Sequence, residues 1–156
     1  AELGVLLELN HPNILQCYDH VSTEQEMTFV LEFIVGGSLR DVMDSFGSFP
    51  EMVLRRYSRD VLRGLDHLHQ HNIIHRDIKA GNILLCKDGT CKLADFGTCA
   101  RVAGKRLSSA GTNYWMSPEM VEGKATTCGA DIWSLGITLI ELCTGHPPNY
   151  DKSKMQ

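Results

Sequence analysis

A chain of 156 residues with 43% hydrophobic and 22% charged content suits one compact unit rather than several. Its formal charge of −4 gives no sign of the basic face that nucleic-acid binding requires. The longest apolar stretch, Ile132 to Cys143, is interrupted by Ser134, Thr138 and Glu141 and falls short of the ~20 residues that cross a bilayer, so a buried helix is expected there and no membrane span.

In chain order, residues 1–9 read as the end of a helix, with Leu3, Leu6, Leu7 and Leu9 apolar and His11-Pro12 closing it. Ile14 to Val21 and Met27 to Phe33 read as two strands around the polar turn 22–26. Gly36-Gly37 then breaks the chain. Ser38 and Asp41 form a capping box that opens a short helix ending at Gly47, and Ser48 and Glu51 form a second box. The second box predicts a long helix to about His71, with Val53, Leu54, Tyr57, Val61, Leu65 and Leu68 on one face. His67, His69 and His71 close that helix with no cysteine or carboxylate cluster beside them, and metal binding is not expected there. Cys17, Cys86, Cys91, Cys99, Cys128 and Cys143 show no CxxC pair, which predicts buried reduced thiols in a cytoplasmic protein. No signal peptide, internal repeat or low-complexity linker is visible.

The densest chemistry follows. His75-Arg76-Asp77-Ile78-Lys79-Ala80-Gly81-Asn82 precedes Asp95-Phe96-Gly97, with thirteen positions from Asn82 to Asp95. This order and spacing is what protein phosphoryl transfer uses. Asp77 can take a hydroxyl proton and Lys79 can meet a moving phosphoryl group. Asn82 and Asp95 offer the hard oxygen atoms that Mg²⁺ prefers. Between the two motifs, Ile83-Leu84-Leu85-Cys86 and Cys91-Lys92-Leu93-Ala94 flank Asp88-Gly89, a strong hairpin signal. A two-residue turn centred on Asp88-Gly89 pairs Lys87 with Thr90, Leu85 with Lys92, Ile83 with Ala94 and Asn82 with Asp95. Directly opposite residues lie roughly 4.5–5.5 Å apart at Cβ, close enough to share one cation. An ordinary surface hairpin with two polar residues at its mouth is the competing reading, and the His75–Asp77 segment disfavours it. A long irregular segment from Thr98 to Glu119 comes next, then an apolar helix around residues 130–143 that Gly145 and Pro147-Pro148 stop.

The ordered motif set resembles the catalytic domain of serine/threonine protein kinases, over nearly the whole chain to about Tyr150. Lys79, two residues after Asp77, is the serine/threonine pattern; tyrosine kinases resemble Asp-Leu-Ala-Ala-Arg-Asn at that point. Gly111 to Glu119 is similar to the Gly-Thr-Pro-Tyr-Trp-Met-Ala-Pro-Glu of sterile-20-like and related kinases upstream in MAP-kinase cascades, from which Asn113 and Ser117 depart. The resemblance implies an α+β, kinase-like fold in part: a small-lobe remnant over 1–33, then the hinge and most of the mainly helical large lobe over 34–156. It also implies transfer of the ATP γ-phosphate to serine or threonine hydroxyls of protein substrates, with Mg²⁺ as cofactor. An upstream kinase, or the same kinase in trans, would activate it.

The resemblance also assigns residues. Asp77 is the base, Lys79 the phosphoryl-facing cation, and Asn82 and Asp95 the metal ligands. Glu2 is the glutamate that pairs with the ATP-anchoring lysine. Leu31 is the gatekeeper, Glu32 and Ile34 give backbone hydrogen bonds to adenine, and Leu84 forms the floor under the purine. Arg76 receives an activation-loop phosphate on Ser108 or, next best, Ser109. Thr112 contacts Asp77 and Lys79, Asp131 braces the His75–Asp77 backbone, and Glu119 pairs with an arginine absent from this sequence, which leaves it unpaired. No Gly-rich loop is present and the first lysine is Lys79. The expectation is therefore an internal fragment of a longer kinase, with little or no activity alone. A non-catalytic, kinase-like interaction module is the alternative, disfavoured because Asp77, Lys79, Asn82 and Asp95 all stand.

Overall fold

The computed structural model describes residues 9–23, 26–101, 113–124 and 126–150. Two strands, β1 (Cys17–Ser22) and β2 (Met27–Leu31), lead into two helices, α1 (Leu39–Phe46) and α2 (Glu51–Gln70). Four short strands follow, β3 (Ile73–Ile74), β4 (Ile83–Leu85), β5 (Cys91–Leu93) and β6 (Ala100–Arg101), then α3 (Pro118–Val121) and α4 (Cys128–Thr144). The strands form three antiparallel pairs: β1 with β2, β3 with β6, and β4 with β5. Among the described residues no helix is long and apolar enough to cross a membrane.

Local chemistry explains most boundaries. The Ser38 box forms in full at the start of α1: Asp41 N–H donates to Ser38 Oγ at 3.2 Å, and Ser38 N–H donates to the Asp41 carboxylate at 2.8 Å. The Ser48–Glu51 box does not form. Pro50 is the N-cap of α2, with its φ of −69° already set by the ring, and Glu51 instead pairs with Arg55 one turn on, at 2.9 Å. Phe49 N–H is taken by the Leu142 carbonyl at 3.0 Å, which ties the entry of α2 to α4. On α2, Leu54, Tyr57, Val61, Leu65 and Leu68 are buried, and they join Leu39, Met43, Ile14, Leu93, Leu135 and Leu142 in one core. The first strand begins at Cys17 rather than Ile14, because residues 13–15 pair with β5 instead: Leu15 N–H donates to the Leu93 carbonyl at 2.8 Å. Within the segment expected to be irregular, the described residues include 3-10 turns at Phe96–Thr98 and Asn113–Trp115 as well as β6 and α3.

The β4–β5 hairpin departs from the expected register by one residue. Ile83 pairs with Leu93, Leu84 with Lys92 and Leu85 with Cys91, so Asn82 faces Ala94 and not Asp95; Ala94 N–H donates to the Asn82 carbonyl at 2.9 Å. The reason is the turn. Gly89 has φ +80° while Asp88 does not enter the left-handed region, which rules out a two-residue turn needing both. Gly89 N–H donates to the Cys86 carbonyl at 2.9 Å and Cys86 N–H to the Thr90 carbonyl at 2.8 Å, closing a three-residue loop of the type I plus bulge kind.

The segment after β2 lies against β4. Leu85 N–H donates to the Gly37 carbonyl at 2.9 Å, and a Cβ on Gly36 would collide with the Leu85 carbonyl oxygen. Gly36→Ala is therefore expected to lower stability by about 1–3 kcal/mol in urea denaturation. An unchanged midpoint would mean that this contact opens without cost.

Candidate active site

The loop between β3 and β4 is buried and densely hydrogen-bonded. The Asp77 carboxylate meets Lys79 Nζ at 2.7 Å and accepts from Asn82 Nδ2 at 2.9 Å, both at Oδ2. Asn82 Nδ2 also donates to the Asp77 carbonyl at 2.8 Å. A proton acceptor, a cation and an amide thus converge within hydrogen-bond distance, all ordered by one turn of chain. Because Asn82 Nδ2 is spent on Asp77, the amide oxygen is the atom left to ligate a cation.

His75 joins this loop to the second motif. Its ring is fully buried; Nε2 lies 3.0 Å from the Ala94 carbonyl, and Asp77 N–H donates to Nδ1 at 3.4 Å. A donor Nε2 and an acceptor Nδ1 describe a neutral ring. Burial holds the His75 pKa below its ordinary value, against the opposing carboxylates of Asp131, Asp77 and Asp95. The ring also packs on Phe96, with centroids 5.3 Å apart. Asp95 is exposed, in the left-handed conformation (φ 62°), with Gly97 N–H at 3.4 Å from Oδ1. The register change thus removes the direct strand pairing of Asn82 with Asp95. What remains is backbone adjacency, since the Asn82 carbonyl accepts from Ala94 N–H, one residue before Asp95.

Arg76 has φ +73°, a costly conformation for a non-glycine residue. Asp131 accounts for its persistence. This carboxylate, at the start of α4, is 0% exposed and accepts from His75 N–H at 2.9 Å and Arg76 N–H at 2.8 Å, with His69 Nε2 at 2.8 Å. Sequence reading missed the rest of this arrangement. Asp131, Ser134, Thr138 and Glu141 form a buried polar stripe along α4. Ser134 Oγ donates to the Trp115 carbonyl at 2.7 Å, and Thr138 Oγ1 lies 3.3 Å from the Ile78 carbonyl. Glu141 Oε2 accepts from Ala80 N–H at 3.2 Å and Trp115 Nε1–H at 3.0 Å, while Oε1 lies 3.5 Å from Arg40 Nη1. Burial raises the Glu141 pKa, opposed by those donors and by Arg40. One helix therefore pins the loop at residues 75, 76, 78 and 80. The signal was available, as polar residues recurring at helical spacing inside an apolar run.

The residues assigned to a nucleotide divide. Leu31 lines a cavity of about 230 Å³ together with Ile14, Leu15, Cys17, Phe29, Asp95, Phe96 and Gly97. Glu32 N–H donates to the Gln16 carbonyl at 2.9 Å, and its carboxylate meets Lys92 Nζ at 2.6 Å and accepts from Gln16 N–H at 3.3 Å. Ile34 and Leu84 are half-buried and do not line that cavity. A wider groove of about 650 Å³ lies between α2 and α4, lined by Leu54, Leu62, Leu139 and Cys143, and holds none of the candidate residues. Glu119 is half-buried, and among the described residues no ion pair engages it. Glu2, Ser108, Ser109 and Thr112 lie outside the described residues. All six cysteines are free; only Cys17 and Cys91 are buried, Cys143 is exposed and the others lie between, so the expectation of uniformly buried thiols does not hold. Burial pushes the Cys91 thiol up to about 12 and raises Cys99 as well, which suits neither to act as a nucleophile at neutral pH.

A family model described as protein kinase domain matches residues 1–156. The cytokinesis protein sepH of Aspergillus terreus is 45% identical over 155 residues, covering 99% of this chain and 12% of that protein. A probable serine/threonine-protein kinase of Dictyostelium discoideum is 44% identical over 158 residues, covering 99% of this chain and 32% of that protein. Mitogen-activated protein kinase kinase kinase 2 of Arabidopsis thaliana is 43% identical over 152 residues, covering 94% of this chain and 23% of that protein. The chain thus spans between 12% and 32% of the length of these curated relatives.

Proposed function

The chain belongs to the protein kinase domain family, and from that membership we propose that the protein carrying it transfers the γ-phosphoryl group of ATP to serine or threonine hydroxyls of protein substrates. The observation that carries this reading is the Asp77 carboxylate held at one oxygen by both Lys79 and Asn82. Asp77 accepts the proton of the attacking hydroxyl, and Lys79, anchored beside it, faces the moving phosphoryl group. Asn82 Oδ1 and the exposed Asp95 carboxylate are hard oxygen donors that fit Mg²⁺. Mg²⁺ bound there neutralises charge on the ATP phosphates. The Glu32 carbonyl and Ile34 N–H take the adenine edge, with Leu31 as side wall and Leu84 as floor.

Residues 1–33 belong to the small lobe and 34–156 to the large lobe in this reading. Glu2 pairs with a lysine that anchors ATP. A phosphate on Ser108 or Ser109, placed by an upstream kinase or in trans, pairs with Arg76, and Thr112 faces Asp77 and Lys79. The name of the Arabidopsis relative and the Gly111–Glu119 segment support a place upstream in a MAP-kinase cascade. Six free cysteines support a reducing cytoplasmic setting.

A phosphorylation assay on the full-length protein, with Mg²⁺ varied, tests the metal assignment. Asn82→Ala is expected to raise the Mg²⁺ needed for half-maximal rate by about tenfold or more. The same requirement in variant and wild type would remove Asn82 from the metal site.

A further inference from the structure

We propose that His11, His67 and His71 form a proton-operated clasp between the chain entering β1 and the C-terminal turn of α2. The His11 ring stacks on His67, with centroids 4.8 Å apart and planes 23° from parallel. His67 in turn meets His71, with centroids 4.5 Å apart and planes at 44°. His71 ends α2, its Nδ1 2.8 Å from the His67 carbonyl. Three imidazoles from two separate segments thus touch in sequence. Neutral rings can stack in this way, whereas charged ones at this separation repel.

The hydrogen bonding requires the neutral form. Asn13 N–H donates to His11 Nδ1 at 3.1 Å, so that nitrogen must carry a lone pair. Protonation replaces the lone pair with a second N–H and abolishes the bond. The surrounding charges act in both directions, with Asp66 favouring the charged form of His11 and His67 against burial and the neighbouring imidazoles, which outweigh it. Arg63 on α2 and Lys92 on β5 act against a charged His11, while Asp66 on α2, which also accepts from Gln70 at 2.8 Å, favours it. Burial lowers the pKa of both His11 and His67 from 6.5, and each is lowered further by its imidazole neighbour, His67 for His11 and His71 for His67. The closed clasp therefore binds fewer protons than the open one. Its stabilisation is complete above pH 6.5 and is lost as pH falls from 6.5 through the depressed values of the closed state.

What the clasp holds gives it a consequence. Asn13 Nδ2 donates to the Cys91 carbonyl at 2.9 Å, Leu93 N–H donates to the Asn13 carbonyl at 2.9 Å, and β5 runs directly into Ala94 and Asp95. Opening it releases the His11–Asn13 segment from α2 and loosens the support of the strand that presents Asp95.

Amide hydrogen exchange of Leu15 and Leu93, corrected for intrinsic rates, reads the clasp in the full chain. Protection is expected to fall about tenfold or more between about pH 7.5 and 5.5 in the wild type. In His67→Phe, which keeps an aromatic ring but cannot be charged, it should change by no more than about twofold. Equal pH dependence in both proteins, or none in the wild type, would overturn the proposal. Should His67→Phe not fold, the imidazole titration of the wild type by NMR decides. Coupled titration of His11 and His67 below pH 6.5 supports the clasp, and independent titration at the ordinary value refutes it. These readouts do not involve phosphoryl transfer, so their failure would leave the catalytic reading untouched.

Discussion

Asp77→Asn is expected to lower the rate of phosphoryl transfer about 10²–10⁴-fold, the contribution of a positioned general base, while changing stability by no more than about 1–2 kcal/mol. The substitution keeps size and shape. The asparagine oxygen can still accept from Asn82 Nδ2 and meet Lys79 Nζ, the two groups now 2.9 and 2.7 Å from Oδ2. What is lost is the basicity that takes up the hydroxyl proton and the full charge that holds Lys79. The check is kcat for the full-length protein alongside its urea midpoint. A kcat within about threefold of wild type, with the fold intact, would remove Asp77 as the base.

Asp131→Ala is expected to cost about 3–5 kcal/mol of folding stability, a large part of what a domain of this size commands. Its carboxylate is buried and serves His75 N–H, Arg76 N–H and His69 together. Removal leaves two buried backbone N–H groups without an acceptor, each costing about 1–3 kcal/mol, and withdraws the restraint that holds Arg76 at φ +73°. Asp131→Asn should fall between, since its amide oxygen can serve one N–H while its NH₂ opposes the other. Chemical denaturation measures both. A loss below about 1 kcal/mol for Asp131→Ala would show that the loop keeps its shape without this carboxylate.

The same pair of residues shows how far the sequence could be read. Helices α1, α2 and α4 were legible because apolar periodicity and capping chemistry act over a few residues: α1 begins where Ser38 and Asp41 place it, while the helix expected over residues 1–9 lies almost wholly outside the described residues. The second box failed because Pro50 sets its own cap and Phe49 N–H bonds to a carbonyl 93 positions away. The hairpin was legible from Asp88-Gly89, but its register was not. Two- and three-residue loops both use that dipeptide, and the choice depends on whether one residue or two enters the left-handed region. Order and spacing singled out Asp77, Lys79, Asn82 and Asp95 as candidates, and the structure brings Asp77, Lys79 and Asn82 together. The atoms by which these three meet, and the role of His75 in joining their loop to the second motif, were not legible.

The α4 stripe marks the same boundary. Ser134, Thr138 and Glu141 read as interruptions of an apolar run, because hydropathy registers that a residue is polar and not what it bonds to. Composition, turn chemistry and motif spacing, all local properties, gave α1, α2, α4 and the β4–β5 hairpin. The hairpin register followed from which turn residue enters the left-handed region, whereas the left-handed Arg76 and the fastening of the loop to α4 were decided by tertiary structure. They rest on hydrogen bonds between groups as far apart as residues 76 and 131 or 80 and 141, whose energy exists only once burial has excluded competing water.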